Sequence, residues 1–356
     1  MDGARGGTVI GRPRGEGRWR CSPALTAAAA LLSAALATPA AAQQTHALIV
    51  AGLGGQEPYT ESFRTWAVEL QTALVQRHGA DAANVVVLTE DPDAHPVVRQ
   101  RSSKDNVLAA MASVADRAAA DDRVLVVLIG HGTSQRGETR LNLPGPDLAP
   151  AELDAALLGF PTQSVAVVLT GSASGGFVED LSGEGRIVIS ATASALERNA
   201  TEFPRFFVEA VTTDGADLDK DGRTSLLEAF EYANLEVARF YDQENELLTE
   251  HAVLDDDGDG EGSRQPVRDG TDGPRAAAFH LGRGPGASAT TAAPVTTDPE
   301  LQRLYADRTA IQERLDALRA AKDGMSASDY EEQLEALLVE LALKAREIRV
   351  REGGGT

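Results

Sequence analysis

Residues 43–281 are predicted to form a three-layer α/β/α sandwich on a mostly parallel sheet, followed by a C-terminal helical hairpin. Three observations carry this expectation. Residues 124–129 (VLVVLI) and 165–169 (VAVVL) are apolar at every position, as strands are when both faces of a sheet are covered. Such runs alternate with segments of helical apolar spacing, the order that builds parallel sheets through crossover helices. Each of the two runs also leads into a Gly/Ser-rich turn, and open α/β sheets bind ligands beyond the carboxyl ends of their strands.

The first predicted strand, residues 46–51, closes on the tight turn Gly52-Leu53-Gly54-Gly55. That turn lacks the full dinucleotide-binding spacing and a ribose-binding acid, so it is read as a turn alone. Residues 60–77 place Phe63, Trp66, Leu70 and Leu74 on one helical face. Residues 85–88 form the second strand. Residues 103–119 form a helix opened by Ser102-Ser103-Lys104-Asp105, where a hydroxyl can cap the first free N–H groups. The third strand is 124–129, and a short helix over 151–158 follows Pro150. Residues 165–169 and 186–191 supply strands four and five, and residues 225–241 a further helix.

Residues 282–299 are rich in Gly, Pro, Ala and Thr and read as a linker. Beyond them, residues 300–322 and 329–349 are two charged amphipathic helices, with a break at Asp323-Gly324 that favours a hairpin. One apolar seam holds Leu301, Leu304, Ile311, Leu315 and Leu318; the other holds Tyr330, Leu334, Leu337, Leu338 and Leu341. The pattern allows the hairpin to pack on itself, on the preceding domain, or on a second copy in self-association.

Residues 1–42 read as a secretory signal. Arg12, Arg14, Arg18 and Arg20 precede an apolar stretch over 24–37 and a small-residue cleavage site at Ala40-Ala41-Ala42. The stretch is shorter than the ~20 residues of an ordinary membrane span. Cys21 precedes it, which does not suit a lipid anchor, so no stable membrane anchor is expected. Export to a periplasm or beyond is the expected fate. The only cysteine is Cys21, and removal of five Arg and two acids with residues 1–42 takes the formal charge from −21 to −24. The mature chain therefore cannot use disulfides. Its acidity argues against nucleic acid and suits divalent cations.

Two blocks carry candidate chemistry. The first apolar run ends in His131-Gly132, and the second in Gly171-Ser172-Ala173-Ser174-Gly175-Gly176. The pair resembles the catalytic blocks of the legumain-like and caspase-like cysteine peptidases, where the first ends in His-Gly and the second in a motif of the form Ala-Cys-His-Ser-Gly. Asn142-Leu143-Pro144-Gly145 and Ser190-Ala191-Thr192 also look legumain-like, so the resemblance spans roughly residues 45–260. It implies a caspase-hemoglobinase fold, a cleft for a peptide or protein ligand, and His131 and Ser172 at the catalytic positions. Three departures stand out: Ser172 replaces the nucleophilic cysteine, Ala173 the polar residue after it, and Gly171 the alanine before it.

A thiol is readily drawn to thiolate by a neighbouring imidazole. A serine hydroxyl needs a well-placed base, an orienting third residue and a developed oxyanion hole. No acid is placed by sequence as that third residue. Three readings follow: a non-catalytic descendant of a peptidase, a serine hydrolase using His131 and Ser172, or two ordinary loop residues satisfied by the backbone. The small-residue turn at Ser174-Gly175-Gly176 would keep an oxyanion-binding loop.

The second candidate is a twelve-residue calcium loop over 217–228. Asp217, Asp219 and Asp221 stand at positions 1, 3 and 5, Gly222 at the sharp turn, and the Arg223 carbonyl at position 7. Ser225 stands at position 9 and Glu228 closes the loop. Thr224 replaces the usual aliphatic residue, which weakens pairing with a second such loop. Asp255, Asp257, Asp259 and Gly260 repeat the opening spacing, with Pro266 where the closing acid belongs. That second loop either binds weakly, borrows a ligand from elsewhere, or is a solvated turn. His251 beside it is expected to be structural, since calcium prefers oxygen donors. Asn199-Ala200-Thr201 is formally a glycosylation acceptor.

Overall fold

The computed structural model describes residues 43–160, 163–219, 222–282 and 325–353, with ten helical positions between 301 and 318. The predicted signal with Cys21, Asp221, the linker from 283 onward and the break at Asp323-Gly324 lie outside the described residues.

The central sheet has seven strands, β1 (Thr45–Ala51), β2 (Val85–Thr89), β3 (Val98–Arg101), β4 (Arg123–Ile129), β7 (Ser164–Leu169), β8 (Arg186–Ser190) and β9 (Val253–Asp255). They run in the order β3-β2-β1-β4-β7-β8-β9. Every pairing is parallel except β8 with β9. A separate antiparallel hairpin joins β5 (Gly132–Gln135) to β6 (Glu138–Leu141). Helices α1 (Glu57–Gln76), α5 (Phe203–Thr212) and α6 (Leu226–Glu244) cover one face; α2 (Lys104–Arg117), α3 (Pro150–Leu157) and α4 (Val178–Leu181) cover the other. A short helix α7 (Pro274–Ala278) follows β9.

The sandwich follows from the strand pattern. All seven residues of β4 are buried. Leu125, Val127 and Ile129 enter the core beneath α1, α5 and α6, while Val124, Val126 and Leu128 enter the opposite core. Alternate side chains of a strand point to opposite faces, so a continuous apolar run is what a doubly covered strand requires. The five predicted strands and the helices over 60–77, 103–119, 151–158 and 225–241 all correspond to elements here. Ser103 caps α2 by accepting from Asn106 N–H at 3.4 Å.

Helix α8 (Ala327–Gly353) forms the second arm of the hairpin. Ile311, Leu315, Leu318 and Leu337 share a cluster with Leu334 and Leu341, and Leu304 meets Ile348. Arg314 with Glu340 (3.0 Å) and Lys344 with Asp307 (3.4 Å) bridge the arms. The two arms thus pack on each other. Leu338, expected in the seam, is 44% exposed. Its neighbours Leu334, Leu337 and Leu341 complete the seam at alternating three- and four-residue steps, and one further residue rotates about 100° away from it.

Candidate functional site

Strands β4 and β7 pair in register up to Leu128 with Leu169. His131 and Ser172 therefore emerge side by side, two and three residues beyond adjacent strand ends. The backbones here are nearly in contact. A Cβ on Gly171 would lie 1.9 Å from Gly130 O, and one on Gly132 would lie 2.1 Å from Ser172 O. The glycine at 171, a departure from the peptidase motif, is thus required by this packing.

Proximity does not assemble a dyad. Ser172 is 3% exposed. Its Oγ donates to Gly132 O at 3.1 Å and accepts from Gly132 N–H at 3.2 Å. The His131 ring instead makes edge contacts with Tyr59 (centroids 4.5 Å apart, 83°) and Phe63 (5.0 Å, 67°). Burial lowers its pKa below the usual histidine value, which favours the neutral ring. Among the described residues no hydrogen bond joins His131 to Ser172, and none ties the ring to a carboxylate. The sequence pattern names Phe63 only as part of an apolar helical face and gives no sign of Tyr59 beside His131.

The resemblance-bearing segments meet around this point. Asn142 N–H donates to His131 O (2.9 Å), and Asn142 O accepts from Leu53 N–H (2.9 Å), so residues 142–145 tie the His131 turn to the first Gly-rich turn. Ser190 Oγ donates to Ser174 Oγ at 2.9 Å, and Thr192 Oγ1 accepts from Gly175 N–H at 2.8 Å. Gly176 N–H donates to Ala173 O at 3.1 Å. The N–H groups of Gly175 and Gly176 in the small-residue turn are thus engaged internally. Ala173 itself has φ 57°, the left-handed region that is costly for a residue with a Cβ.

In the first acidic loop, single carboxylate oxygens of Asp217, Asp219 and Glu228 lie within 4.8 Å of one another. Glu228 is 4% exposed. It accepts from Leu218 N–H (3.0 Å), Asp219 N–H (3.3 Å), Ser225 N–H (2.8 Å) and the Ser225 hydroxyl (2.8 Å). Ser225 caps α6 in return by accepting from Glu228 N–H. Gly222, at φ 81°, makes the sharp turn, and its N–H donates to Asp217 at 3.1 Å. Arg268 donates to Asp219 at 2.8 Å. Among the described residues the loop does not pair with a second loop of its kind. Ser225 bridges to His280, and Thr224 O accepts from Leu281 N–H at 3.0 Å, so the chain leaving α7 takes that edge.

In the second acidic loop, Asp255 and Asp257 gather with Asp272, again within 4.8 Å; Asp259 is not part of this trio. Asp259 turns back to accept from Glu261 N–H at 2.7 Å. Asp272 lies six residues beyond Pro266, outside the twelve-residue frame, so the spacing rule could not find it. Its carboxylate accepts from Asp256 N–H (3.0 Å) and Ser263 N–H (3.1 Å), while Asp256 caps α7 through Gly273 and Ala276 N–H. Burial raises the Asp272 pKa, and the neighbouring Asp257, Asp255 and Asp256 charges add to that against the Asp256 N–H. His251 is held by Glu197, which accepts from its Nδ1 (2.8 Å) and its N–H (3.0 Å).

Two surface cavities flank these elements. One, of about 280 Å³, is lined by Thr133, Gln135, Arg136, Glu138, Arg140 and Asp147 of the β5–β6 region. The other, of about 460 Å³, lies between Asn199–Glu202 and the end of α6. Neither His131 nor Ser172 lines either one. No described helix is long and apolar enough to cross a membrane.

No protein-family profile matches the chain, and no curated protein matches it. Solved structures similar to parts of it include three from different proteins. A Geobacter sulfurreducens protein is 13% identical, covering 54% of this chain and 89% of its own, at a TM-score of 0.35. The drICE structure is 11% identical, covering 63% and 95%, at 0.36. Chaetomium thermophilum Raptor is 13% identical, covering 48% of this chain but 17% of its own, at 0.32. At these values the similarities assign neither a family nor an activity.

Proposed function

We propose that this chain is an exported, non-catalytic homologue of the legumain-like and caspase-like peptidases that holds an extended peptide across the ends of β4 and β7 and is stabilised by calcium. The observation that carries the non-catalytic reading is the Ser172 hydroxyl, which both donates to and accepts from the Gly132 backbone. A nucleophile needs its proton directed at a base. Here that base, His131, is packed against two aromatic rings. The peptidase ancestry rests on the motif resemblance and on the two blocks leaving adjacent parallel strands.

The calcium part is supported by the donor chemistry. Each loop gathers three carboxylates, the hard oxygen donors that calcium prefers. Asp217, Asp219 and Glu228 would hold one ion, with Asp221, the Arg223 carbonyl and Ser225 completing the sequence pattern. Asp255, Asp257 and Asp272 would hold a second. Bound calcium would supply positive charge among these carboxylates and fix the start of α6.

Digestion of a broad peptide library with calcium, by the wild-type chain beside His131→Ala and Ser172→Ala, tests the reading. No turnover by any of the three, with folding and peptide binding intact, is the expected result. Cleavage that disappears in both variants would overturn it in favour of a serine hydrolase.

A further inference from the structure

Helix α8 has two unlike faces. Leu334, Leu337, Leu341 and Ile348 turn toward the other arm of the hairpin. On the far side Val339 and Leu343 are 54% and 56% exposed, and Glu335 and Arg346 are exposed beside them; Leu338, 44% exposed, flanks the inner seam. Val339 is about 200° from Leu337 around the helix, and Arg346 falls within about 20° of Glu335. The outer face therefore carries an acid toward its N-terminal end, apolar side chains at its centre and a base toward its C-terminal end. No ion pair engages Glu335 or Arg346 among the described residues.

We infer that this outer face is an interface between two copies of the chain, which pair α8 with α8 in antiparallel fashion about a two-fold axis. The axis lies between residues 340 and 341. Glu335 then meets the partner's Arg346 on one side of the axis and Arg346 meets the partner's Glu335 on the other, with Val339 and Leu343 of both copies between them. A two-fold interface must be self-complementary in this way. A parallel pairing would instead set each charge against its own kind, which is repulsive. The charge order thus selects both the occupant, a second copy, and its direction. A helix of 27 residues is about 40 Å long, so the contact is a two-helix seam of modest area, and a reversible dimer is expected.

Sedimentation velocity of the full chain over a concentration series tests this, with circular dichroism confirming that each variant keeps its helix content. The wild type should show a monomer–dimer equilibrium. Glu335→Arg sets arginine against arginine and Arg346→Glu sets glutamate against glutamate, so each alone should weaken association by about tenfold or more. Mixing the two variants should restore it, because each then presents the charges the other lacks. The double variant should restore it within one chain. A wild-type monomer at every concentration, a dimer indifferent to both single changes, or a mixture that stays monomeric would each overturn the inference.

Discussion

The strand-end site and the acidic loops answer the same problem differently. Around Ser172 the polar demand is met from within: a hydroxyl closes on the Gly132 backbone, and the turn N–H groups find Thr192 and Ala173. In the loops the backbone N–H groups are also satisfied, by Asp and Glu side chains, but each trio keeps three carboxylates within 4.8 Å. Neutral hydroxyls are at rest once hydrogen-bonded. Carboxylates that have accepted every nearby N–H still repel one another. Arg268 offsets part of this at Asp219. One region is therefore fixed by steric fit, the other is open to control by charge.

The largest expected effect tests the steric half. Gly171→Ala restores the residue found in the peptidase motif, yet its Cβ would meet Gly130 O at 1.9 Å. Backbone faces backbone, so relief requires the two strand ends to separate. Urea denaturation should show a loss of roughly 4 kcal/mol, the range of severe overpacking. A loss under 1 kcal/mol would mean that the strand ends yield easily, and the contrast with the loops would fail.

Next comes Glu228→Ala. It strips the acceptor from Leu218, Asp219 and Ser225 and breaks the reciprocal cap of α6. We expect a loss of roughly 3 kcal/mol from the unmet donors and the lost cap. The same change separates structure from charge. With calcium at about a hundred times its Kd, the wild type should gain roughly 2.7 kcal/mol by mass action, and the variant markedly less. No rise in the wild-type unfolding temperature after thorough metal removal and calcium addition would end the calcium reading. An undiminished rise in the variant would move the ion to the Asp272 loop.

Glu250 shows what a buried carboxylate does outside either trio. It accepts from Glu202 and Phe203 N–H at the start of α5 and from the Tyr241 hydroxyl. Burial nonetheless pushes its pKa from 4.5 up to about 7, against the pull of those donors. The unfolded chain releases this proton near pH 4.5 and the folded chain near pH 7. Its contribution is thus fully present below pH 4.5 and is lost as pH rises through 7, by roughly 3 kcal/mol at most. Stability measured from pH 4.5 to 8 should carry this downward slope, and Glu250→Gln should flatten it. An identical slope in the variant would assign the pH dependence to Asp272, whose pKa is also raised, instead.

Which parts were legible in sequence follows from the range of the forces. The central strands were readable because double coverage demands apolar residues at every position, a local signature. The trio partners Asp217, Asp219 and Glu228 were readable because a twelve-residue loop closes on itself. Helix α5 was not read, and neither were β3, β9 and the β5–β6 hairpin. The strands β3 and β9 are short, and the β5–β6 pair carries no long apolar run, so neither periodicity nor length marks them. Asp272 was invisible for a different reason. It joins Asp255 only because α7 and its leading turn fold back, and no spacing rule reaches across that return. The aromatic seat of His131 depends likewise on how α1 lies against the end of β4. Sequence placed His131 and Ser172 just past strand ends, but neither the pairing of those strands nor the direction in which either side chain turns.

The smallest effect bears most directly on whether the strand-end site is inert. Ala173 follows Ser172 with φ 57° and ψ 8°, and it is fully buried. Ala173→Gly removes the cost of a Cβ in the left-handed region, of about 1 kcal/mol or somewhat more. It also discards a buried methyl, worth about 0.8 kcal/mol, and loosens the unfolded chain by about 0.4–1 kcal/mol. These terms oppose each other, so the net change in urea unfolding should stay within about 1 kcal/mol. That outcome would leave Ala173 as a residue whose strain is balanced by its own packing, consistent with a closed and idle turn. A clear gain in stability would mean that the fold retains uncompensated strain next to Ser172. Strain of that kind persists where a working geometry needs it, and the Ser172 turn would then have to be tested for chemistry again.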